Sequence, residues 1–428
     1  MKIKINCILV LIILLTSSIS FSSAIAKNSN LKSNLKTNSE EYDMVIISTE
    51  QFAESLIPLI EHKNSHGLLT FYKDVEKIYD EYQGRDKPEK IKYFIKDTIE
   101  ANSISYVFIV GSIDFIPMRK SAIYIYAPEQ LLPTDLYFAD IYNETGEFCS
   151  WDANNNNIFS EFFQGKNIDC ADCYADVNIG RIPCINNEEL KIIVDKIINY
   201  ENSAYGSDWF DNLLLLGIES QGNNIGDIMI NYGFKSTKLY FETLTFSPKK
   251  INNEVTKGAG FISYSGHGSP EAIGADKVFF LPNLNIPIFY LKFRYKNHHL
   301  DGMNNEYKLP IVYLNACLTA KPEPITPRFP IIAKILKIPN KTSFAYNLVK
   351  KEGGGAIASI GANRLSAGAE FLQESFFINY EPGITVSEML VKAQFDELEK
   401  GNNDKSSSEN VQLYNLIGDP SLKVGGYP

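Results

Sequence analysis

Two stretches of this chain decide its fold, Phe261-Ile-Ser-Tyr-Ser-Gly-His267-Gly-Ser269 and Ile311-Val-Tyr-Leu-Asn-Ala-Cys317. Each begins with an apolar run rich in β-branched and aromatic residues, which is typical of a buried β-strand. Each run ends beside a reactive side chain, the imidazole of His267 or the thiol of Cys317. Parallel strands of an α/β sheet deliver functional groups to the edge at their carboxyl ends. We therefore expect His267 and Cys317 to share one cleft.

The combination of an imidazole and a thiol suggests nucleophilic catalysis. A thiol is a weak nucleophile until it loses its proton, and a nearby base or cation promotes that loss. His267 lies 50 residues before Cys317, and in caspases the histidine lies about 50 residues before the catalytic cysteine. The pair predicts a cysteine peptidase. The alternative is a glycine-bounded turn with a hydrogen-bonded histidine and a buried, inert cysteine.

The rest of the chain alternates predicted strands with predicted helices, which favours βαβ units and parallel sheets. Further strands are predicted at 42–48, 68–72, 105–110, 176–181, 213–217 and 356–360, and helices at 50–63, 88–101, 187–200, 225–232, 247–258, 342–351 and 384–400. Residues 118–175 and 271–309 carry scattered Pro, Gly and Asn, so we predict loops there. The sequence thus predicts an α/β fold in two units, at 42–205 and 206–428.

The first residues have the pattern of an export signal. A lysine-containing start precedes a continuous apolar run at 7–15, and Ala24-Ile25-Ala26 offers a cleavage site of small residues. We expect residues 1–26 to be a signal peptide, residues 27–41 a flexible leader or short propeptide, and the mature protein to be secreted. The alternative is an uncleaved anchor, although the apolar run is short for a membrane span. No second hydrophobic stretch of spanning length follows.

The amino-acid composition and net charge indicate which kinds of molecule the protein can bind. Hydrophobic residues make up 44% of the chain and charged residues 21%, which is typical of a globular protein. The net charge is −10, and no basic block follows the N-terminus. Nucleic-acid binding depends on clustered positive charge, so we expect protein or peptide substrates and no nucleic acid.

Cysteine usage suits an exported protein with one functional thiol. Removal of the signal peptide leaves Cys149, Cys170, Cys173, Cys184 and Cys317. An odd number suits one free thiol and up to two disulfides among the other four. Zinc binding by Cys170, Cys173 and Cys184 is the alternative, but a matching second pair of ligands is missing.

The segment Asp152-Ala-Asn154-Asn-Asn156-Asn-Ile158-Phe-Ser-Glu161 has oxygen-bearing side chains at alternate positions. Asp and Asn oxygens followed by a main-chain carbonyl, here that of Ile158, and then by a carboxylate, here that of Glu161, are how a short loop wraps calcium. The segment departs from the EF-hand because its sixth position is not Gly and its Glu comes early. We predict a structural calcium ion and no organic cofactor; the alternative is an Asn-rich surface turn.

Six short motifs follow one another along most of the mature chain, at 106–117, 177–183, 264–268, 315–317, 354–362 and 414–422. None is specific alone, but their order resembles the gingipain family of secreted cysteine endopeptidases, which belongs to the caspase-like clan CD. The resemblance implies two stacked three-layer α/β subdomains with mostly parallel sheets, the second of them caspase-like. The chain ends at Pro428, so we expect it to lack the immunoglobulin-like and sorting domains of some relatives.

The resemblance also implies a mechanism, which is hydrolysis of peptide bonds by a Cys–His dyad through a thioester acyl-enzyme. Cys317 would be the nucleophile and His267 the acid/base, and the main-chain N–H groups of Gly268 and Cys317 would form the oxyanion hole. Asp172 stands at the spacing where the Arg- and Lys-specific gingipains have their specificity-pocket Asp, which implies a preference for a basic residue before the scissile bond. A solvated loop acid is the alternative for Asp172.

Two other functions stay open at this stage. A secreted binding protein would keep the scaffold without catalysis, and a transpeptidase would pass the acyl group from the same dyad to an amine. Arg181 and Asp419 are expected to brace the fold rather than to act in catalysis.

Overall fold

A ten-stranded mixed β-sheet is the centre of the fold in the computed structural model. The structure describes residues 41–124, 131–163, 166–169, 171–280, 287–326 and 341–428. The predicted signal peptide and nearly all of the predicted leader lie outside these ranges, so both stay predictions. Residues 42–428 form one compact unit. Within the described ranges, no helix combines the length and the apolar character needed to cross a bilayer.

The elements are named here in chain order. The strands are β1 (Met44–Ser48), β2 (Thr70–Asp74), β3 (Tyr106–Val110), β4 (Arg119–Ser121), β5 (Leu132–Thr134), β6 (Phe162–Phe163), β7 (Lys166–Asn167), β8 (Asn178–Ile182), β9 (Asn212–Gly217), β10 (Lys235–Tyr240), β11 (Phe261–Ser265), β12 (His267–Ser269), β13 (Ala272–Phe280), β14 (Pro287–Lys296), β15 (Ile311–Asn315), β16 (Ala358–Ala362) and β17 (Tyr414–Ile417). The helices are α1 (Ala53–Ser65), α2 (Val75–Glu81), α3 (Lys87–Asn102), α4 (Asn187–Ser203), α5 (Glu219–Met229), α6 (Pro248–Lys257), α7 (Phe344–Val349), α8 (Glu370–Ile378), α9 (Val386–Gly401) and α10 (Lys405–Leu413).

The large sheet has the strand order β10-β9-β11-β15-β16-β17-β8-β3-β1-β2. Strands β2, β1, β3 and β8 are parallel to one another, and so are β10, β9, β11, β15 and β16. Strand β17 is antiparallel to β16 and parallel to β8, so the two groups run in opposite directions. The predicted α/β class with mostly parallel strands is confirmed. The two predicted subdomains contribute their strands to one continuous sheet, and the predicted boundary near residue 205 falls between α4 and β9.

Helices cover both faces of the sheet, as parallel strands require. Alternate side chains of β1 enter different cores because successive residues of a strand point to opposite faces. Val45 and Ile47 pack in the core that contains residues of α2 and α3. Met44 and Ile46 pack in a core that contains residues of α1 and α4 and continues through β9, β11 and β15.

Local sequence signals account for the long helices. The predicted helix at 88–101 is α3, and the side chain of Asp86 caps it by accepting the N–H of Glu89 (3.1 Å). Pro88 lies in its first turn, where the missing N–H is not needed. The helix ends at Ser103, which has a left-handed backbone (φ 59°).

The predicted loop at 271–309 was wrong. Strands β13 and β14 form a long antiparallel hairpin that begins five residues after His267 and pairs Ala272 with Lys296. The turn-forming residues misled the prediction because they lie at the margins of the hairpin. Pro287 occupies the first position of β14, which a strand tolerates, and Asn297–Gly302 is a short 3-10 helix after it.

A buried charge cluster joins α1, α4 and the segment that follows β17. The Nζ atom of Lys63 lies 2.8 Å from Oε1 of Glu201 and 2.8 Å from Oδ2 of Asp419, and the three side chains are fully buried. Burial alone would lower the pKa of Lys63, but the carboxylates of Asp419 and Glu201 raise it above its ordinary value. His62 adds a contact of 2.9 Å from Nε2 to Oε2 of Glu201.

A second buried pair lies on β8. Arg181 donates from Nε to Oδ2 of Asp135 (2.6 Å) and from a terminal nitrogen to Oδ1 (2.7 Å). It also donates to the carbonyl oxygens of Gly111 and Ile116, which follow β3. These contacts fit the bracing roles predicted for Arg181 and Asp419.

Candidate active site

The carboxyl ends of β11 and β15 form the candidate active site. The two strands are adjacent and parallel, and their last residues, Ser265 and Asn315, are paired. The N–H of Gly266 donates to the carbonyl oxygen of Asn315 (3.2 Å), which ties the two strand ends together. His267 and Cys317 each lie two residues beyond these ends. The structure thus brings the two predicted catalytic residues to the same edge of the sheet.

Gly268 makes the close approach of the two loops possible. A Cβ atom at this position would lie 2.5 Å from the carbonyl oxygen of Cys317 and 2.8 Å from Cβ of Ala316. Both of these atoms belong to the short turn after β15 and have little freedom to move. Any side chain at position 268 would therefore push the histidine loop away from the cysteine loop.

Cys317 differs from the other described cysteines in its exposure. It is half-buried, whereas Cys149, Cys173 and Cys184 are buried, and no disulfide joins any two of these four residues. Burial raises the pKa of Cys149 to about 12, and it also raises the pKa of Cys173 and of Cys184. Because the thiolate is the nucleophile, such thiols are inert. The predicted disulfides do not occur among these four residues, and Cys170 lies outside the described ranges.

The main chain of Ser366 faces the sulfur of Cys317. The Sγ atom lies 3.3 Å from the carbonyl oxygen of Ser366, which accepts the thiol hydrogen, and 3.4 Å from its main-chain nitrogen. The same N–H group can donate to the sulfur once the thiol has lost its proton. A hydrogen bond to the charged form stabilises that form, so Ser366 can support a thiolate.

A cavity of about 180 Å³ opens beside these residues, and its walls include His267, Ala316 and Ser366. Glu370, at the start of α8, and Gln221, in the first turns of α5, also line it. The side-chain amide of Gln221 donates to Oε1 of Glu370 (3.1 Å). The cavity therefore contains a carboxylate held in place by an amide, next to the predicted dyad.

The predicted oxyanion hole has one N–H group ready to donate. Among the described residues, the main-chain N–H of Cys317 finds no acceptor. Gly268 lies in β12, whose packing against the turn of Cys317 is the close approach described above. A carbonyl carbon attacked by the sulfur would bring its oxygen near the N–H of Cys317, which is the geometry that stabilises a tetrahedral intermediate.

Comparison with known proteins agrees with this arrangement. The sequence model of peptidase family C25 matches residues 37–425, which is most of the chain. The chain belongs to peptidase family C25. The family match places it among cysteine-type peptidases, and the resemblance to the gingipain family that the motifs indicated is confirmed.

Individual relatives are distant in sequence. Gingipain R2 of Porphyromonas gingivalis is 23% identical over 404 residues, which cover 89% of this chain and 46% of that protein. Gingipain R1 of the same organism is 23% identical over 292 residues, which cover 64% of this chain and 24% of that protein. The chain thus spans less than half the length of these curated relatives.

Two solved structures share the fold. The complex of Porphyromonas gingivalis RgpB pro- and mature domains matches with a TM-score of 0.65 at 21% identity, over 89% of this chain and 79% of that chain. The crystal structure of the Arg-specific cysteine proteinase gingipain R (RgpB) matches with a TM-score of 0.64 at 20% identity, over 91% of this chain and 79% of that chain. The C25 fold of the chain is therefore of the gingipain type.

Asp172 lies at the same edge of the sheet as the dyad but at a distance from it. Because β8 runs opposite to β15, the residues before β8 reach the edge where β15 ends. Three strand spacings, roughly 14 Å, separate the two strands. Asp172 is not among the residues that line the cavity beside His267. Its Oδ1 atom accepts the N–H of Tyr174 (3.1 Å), and burial raises the pKa of its carboxyl to about 6.

The predicted calcium loop folds around its own oxygen atoms. The two carboxylate oxygens of Asp152 accept the N–H groups of Asn156 and Asn157 (3.0 Å each). The side-chain oxygen of Asn154 also accepts the N–H of Asn156 (3.0 Å), and that of Asn156 accepts the N–H of Ile158 (2.8 Å). Asn157 has a left-handed backbone (φ 66°), which fits the sharp turn for which EF-hands use Gly at position 6.

The surroundings of this loop fit a hard cation. Glu161 faces the side chains of Asn154 and Asn156. The carboxylate of Asp169 is buried next to Glu161, and among the described residues its Oδ1 atom has no hydrogen-bond partner. The donors are all oxygen atoms, which calcium prefers. In the described ranges no three His, Cys, Asp or Glu side chains converge as a metal cluster, so a calcium ion here would need the amide and main-chain oxygens.

One feature opposes a cation at the loop. The guanidinium group of Arg85 forms an ion pair with Asp152 and occupies one side of its carboxylate. A calcium ion would have to share Asp152 with this residue. The other predicted ligands carry no such competing charge.

Sequence reasoning missed the polar residues that surround Cys317. Ser366 lies between β16 and α8, Glu370 begins α8 and Tyr414 begins β17, and these parts of the chain meet the end of β15 only in the folded sheet. Tyr414 opens a motif that the sequence analysis singled out. Its role could not be seen because the antiparallel pairing of β17 with β16 has no local signal.

Proposed function

We propose that this chain is a secreted cysteine endopeptidase that hydrolyses peptide bonds with Cys317 as the nucleophile and His267 as the acid/base. The observation that carries the proposal is the shared edge of β11 and β15, where Gly268 allows the histidine loop to contact the cysteine turn. The free, half-buried thiol of Cys317 beside a cavity adds to it. The pattern of residues 1–26 supports export.

The chemistry follows from these positions. The Cys317 thiolate attacks the carbonyl carbon of the scissile bond, and the developing oxyanion is stabilised by the N–H groups of Cys317 and Gly268. Protonated His267 gives its proton to the leaving amine, which leaves a thioester on Cys317. His267 then takes a proton from water, and the resulting attack on the thioester releases the acid and the free thiol.

The test is hydrolysis of fluorogenic peptides together with covalent labelling. We expect the purified chain, under reducing conditions with calcium, to hydrolyse peptides and to react with a peptidyl acyloxymethyl ketone. Mass spectrometry should place the label on Cys317, with Cys149, Cys173 and Cys184 as unlabelled internal controls. Absence of both turnover and label from a folded chain would favour a binding protein without catalysis. Transfer of the acyl group to an added amine instead of water would identify a transpeptidase.

We further propose a preference for Arg or Lys before the scissile bond, read by a carboxylate. Asp172 and Glu370 are the candidates, and the position of Glu370 in the cavity beside His267 favours it. We expect Glu370→Gln to reduce the ratio of kcat/KM for Arg over norleucine at least about tenfold, because a hydrogen bond to a charged group contributes about 1.5–3 kcal/mol. Asp172→Asn should leave the ratio unchanged.

The pH dependence separates the two carboxylates. Burial raises the pKa of Asp172 to about 6, and a protonated carboxyl no longer attracts a basic side chain. If Asp172 read the substrate, the preference for Arg would be lost as the pH falls through 6, and Asp172→Asn would abolish it. Either of these two results would show that Asp172, rather than Glu370, recognises the basic side chain of the substrate.

Structural calcium at the loop of Asp152 is also a proposal, with Asn154, Asn156, the carbonyl of Ile158 and Glu161 as the other ligands. A ligand that binds the folded state stabilises it by about 2.7 kcal/mol at a hundred times its Kd. We expect calcium to raise the Tm by a few degrees relative to EGTA. The variant Asp152→Asn should lose this increment, whereas Glu144→Gln, an exposed acid of the same region, should keep it. Equal Tm values with calcium and EGTA in the wild type would refute the site.

A further inference from the structure

Tyr414, the first residue of β17, forms hydrogen bonds with two residues that line the cavity beside the proposed nucleophile. Its hydroxyl lies 2.9 Å from Oδ1 of Asn315 and 2.8 Å from Oγ of Ser366. An amide oxygen only accepts, so the single phenolic hydrogen goes to Asn315. The hydroxyl of Ser366 must then donate to the oxygen of Tyr414. One buried hydroxyl thus connects the end of β15 with the segment that faces the sulfur.

The neighbours of Asn315 fix the direction of this chain of hydrogen bonds. The Nδ2 atom of Asn315 donates to Oε1 of Gln373 (3.2 Å), and Oγ of Ser265 donates to the same oxygen (2.8 Å). The Nε2 atom of Gln373 donates to Oγ of Ser263 (2.9 Å) and to a main-chain carbonyl. These partners fix the orientation of the side-chain amides of both Asn315 and Gln373 in this hydrogen-bond network. The network runs from β11 through α8 and β15 to β17 and ends at Ser366.

The two ends of this network meet at Cys317. Asn315 precedes the nucleophile by two residues, and the main chain of Ser366 lies 3.3 to 3.4 Å from its sulfur. Without the hydroxyl of Tyr414, the side chain of Ser366 loses its acceptor and Asn315 loses its donor. The segment that carries the N–H group facing the sulfur would then be held less firmly.

We propose that Tyr414 is a positioning residue for the nucleophile: its hydroxyl holds Ser366 opposite the sulfur of Cys317 and ties that segment to the strand that carries the cysteine. This inference rests on the proposed role of Cys317. The hydroxyl acts through Ser366 and Asn315, and the loss of its hydrogen bonds is expected to change the reactivity of the thiol more than the binding of substrate. The expected signature is a lower kcat with an unchanged KM.

The chain offers a matched control for the missing hydroxyl. Tyr313, on β15, stacks on Tyr414 with ring centroids 5.8 Å apart and is also fully buried. Among the described residues, its hydroxyl has no hydrogen-bond partner. Tyr414→Phe and Tyr313→Phe thus remove the same atom from neighbouring rings, and only the first of these atoms belongs to the network.

The first measurement is the alkylation rate of Cys317 by iodoacetamide, followed by mass spectrometry at neutral pH, beside the kinetics of peptide hydrolysis. We expect Tyr414→Phe to lower both the alkylation rate and kcat by about tenfold, because small displacements of a reacting group cost one to two orders of magnitude. Tyr313→Phe should match the wild type in both. Equal alkylation rates in wild type and Tyr414→Phe would overturn the inference. Since alkylation needs no turnover, a chain that fails to hydrolyse peptides would contradict the proposed function alone.

A double-mutant cycle tests whether the two hydroxyls act together. Ser366→Ala should slow both reactions in the same direction as Tyr414→Phe, and the double variant should be no slower than Tyr414→Phe, because the contact between the two hydroxyls is already broken in that variant. Additive losses would mean that Tyr414 acts through general packing and would overturn the positioning role. Circular dichroism and the Tm of each variant would identify a change that comes from unfolding.

Discussion

Cys317→Ala should reduce peptide hydrolysis by this chain to background, a loss on the order of 10⁴-fold or more in kcat/KM. The variant lacks the atom that forms the thioester, and the other described thiols are buried and cannot replace it. The fold should survive because Cys317 lies in a turn at the edge of the sheet. Within the described part of the chain, the hydrogen bonds of the sulfur go only to the main chain of Ser366. Initial rates on the preferred fluorogenic peptide, with the Tm of each protein, provide the measurement.

Two further variants show whether the loss of activity is specific to the proposed site. Cys184→Ala removes a thiol from the core, where a cavity lowers stability but leaves the site intact, so its kcat/KM should equal that of the wild type. His267→Ala should lose activity to a similar extent, because neither the thiolate nor the leaving amine then has a proton partner. Full activity in Cys317→Ala would mean that another residue is the nucleophile.

Lys63→Met should lower the free energy of unfolding by about 3–5 kcal/mol, the cost of breaking a buried ion pair by removing one partner. Lys63 is the cation that neutralises Glu201 and Asp419, and all three side chains are fully buried. Methionine has a similar shape but leaves two carboxylates in an apolar setting, where they cannot be hydrated. Urea denaturation at neutral pH measures the loss.

The pH dependence of this loss has a definite sign. In the wild type, burial alone would raise the pKa of Glu201, but Lys63 and the hydrogen bonds to its carboxylate hold the pKa below its ordinary value. This contribution to stability is present above the unfolded pKa and is lost as the pH falls through the folded pKa. In Lys63→Met the carboxylate of Glu201 lacks this lysine and takes up a proton more readily, so the difference in stability between variant and wild type should narrow toward acidic pH.

Lys73→Met provides the contrast. Lys73 forms an ion pair with Glu81 at the surface, where both side chains are partly exposed. Such pairs contribute about 0–1 kcal/mol, so this variant should unfold close to the wild type at every pH. A loss in Lys63→Met no greater than in Lys73→Met would show that the buried cluster does not stabilise the fold.

The sequence predicted most reliably those structural features that depend on residues close to one another in the chain. The runs before His267 and Cys317 have the composition of buried strands, and the rule that parallel strands end at one edge was enough to bring the two residues together. The helix predicted at 88–101 was found in the same way, because the helical spacing of its apolar residues and a proline in its first turn are local signals. These features need no knowledge of distant contacts.

Features that depend on distant pairing escaped the sequence analysis. The hairpin of β13 and β14 was taken for a loop because its Pro and Asn residues mark its margins. The specificity role of Asp172 stays a prediction, and Glu370 became a second candidate only in the structure, where the start of α8 lines the cavity beside His267. The hydroxyl of Tyr414 forms a hydrogen bond with Asn315 across β16, and no sequence pattern near either residue predicts that contact.

The position of β17 sets the earliest time at which the proposed activity can appear. This strand begins 97 residues after Cys317, yet it lies in the middle of the sheet between β16 and β8. Until residue 417 has left the ribosome, the two groups of strands cannot be joined, and Asn315 and Ser366 lack the hydroxyl that binds them both. Between the synthesis of Cys317 and that of β17, the nascent chain therefore holds the proposed nucleophile without this hydroxyl. The proposed activity cannot be complete before this strand is in place.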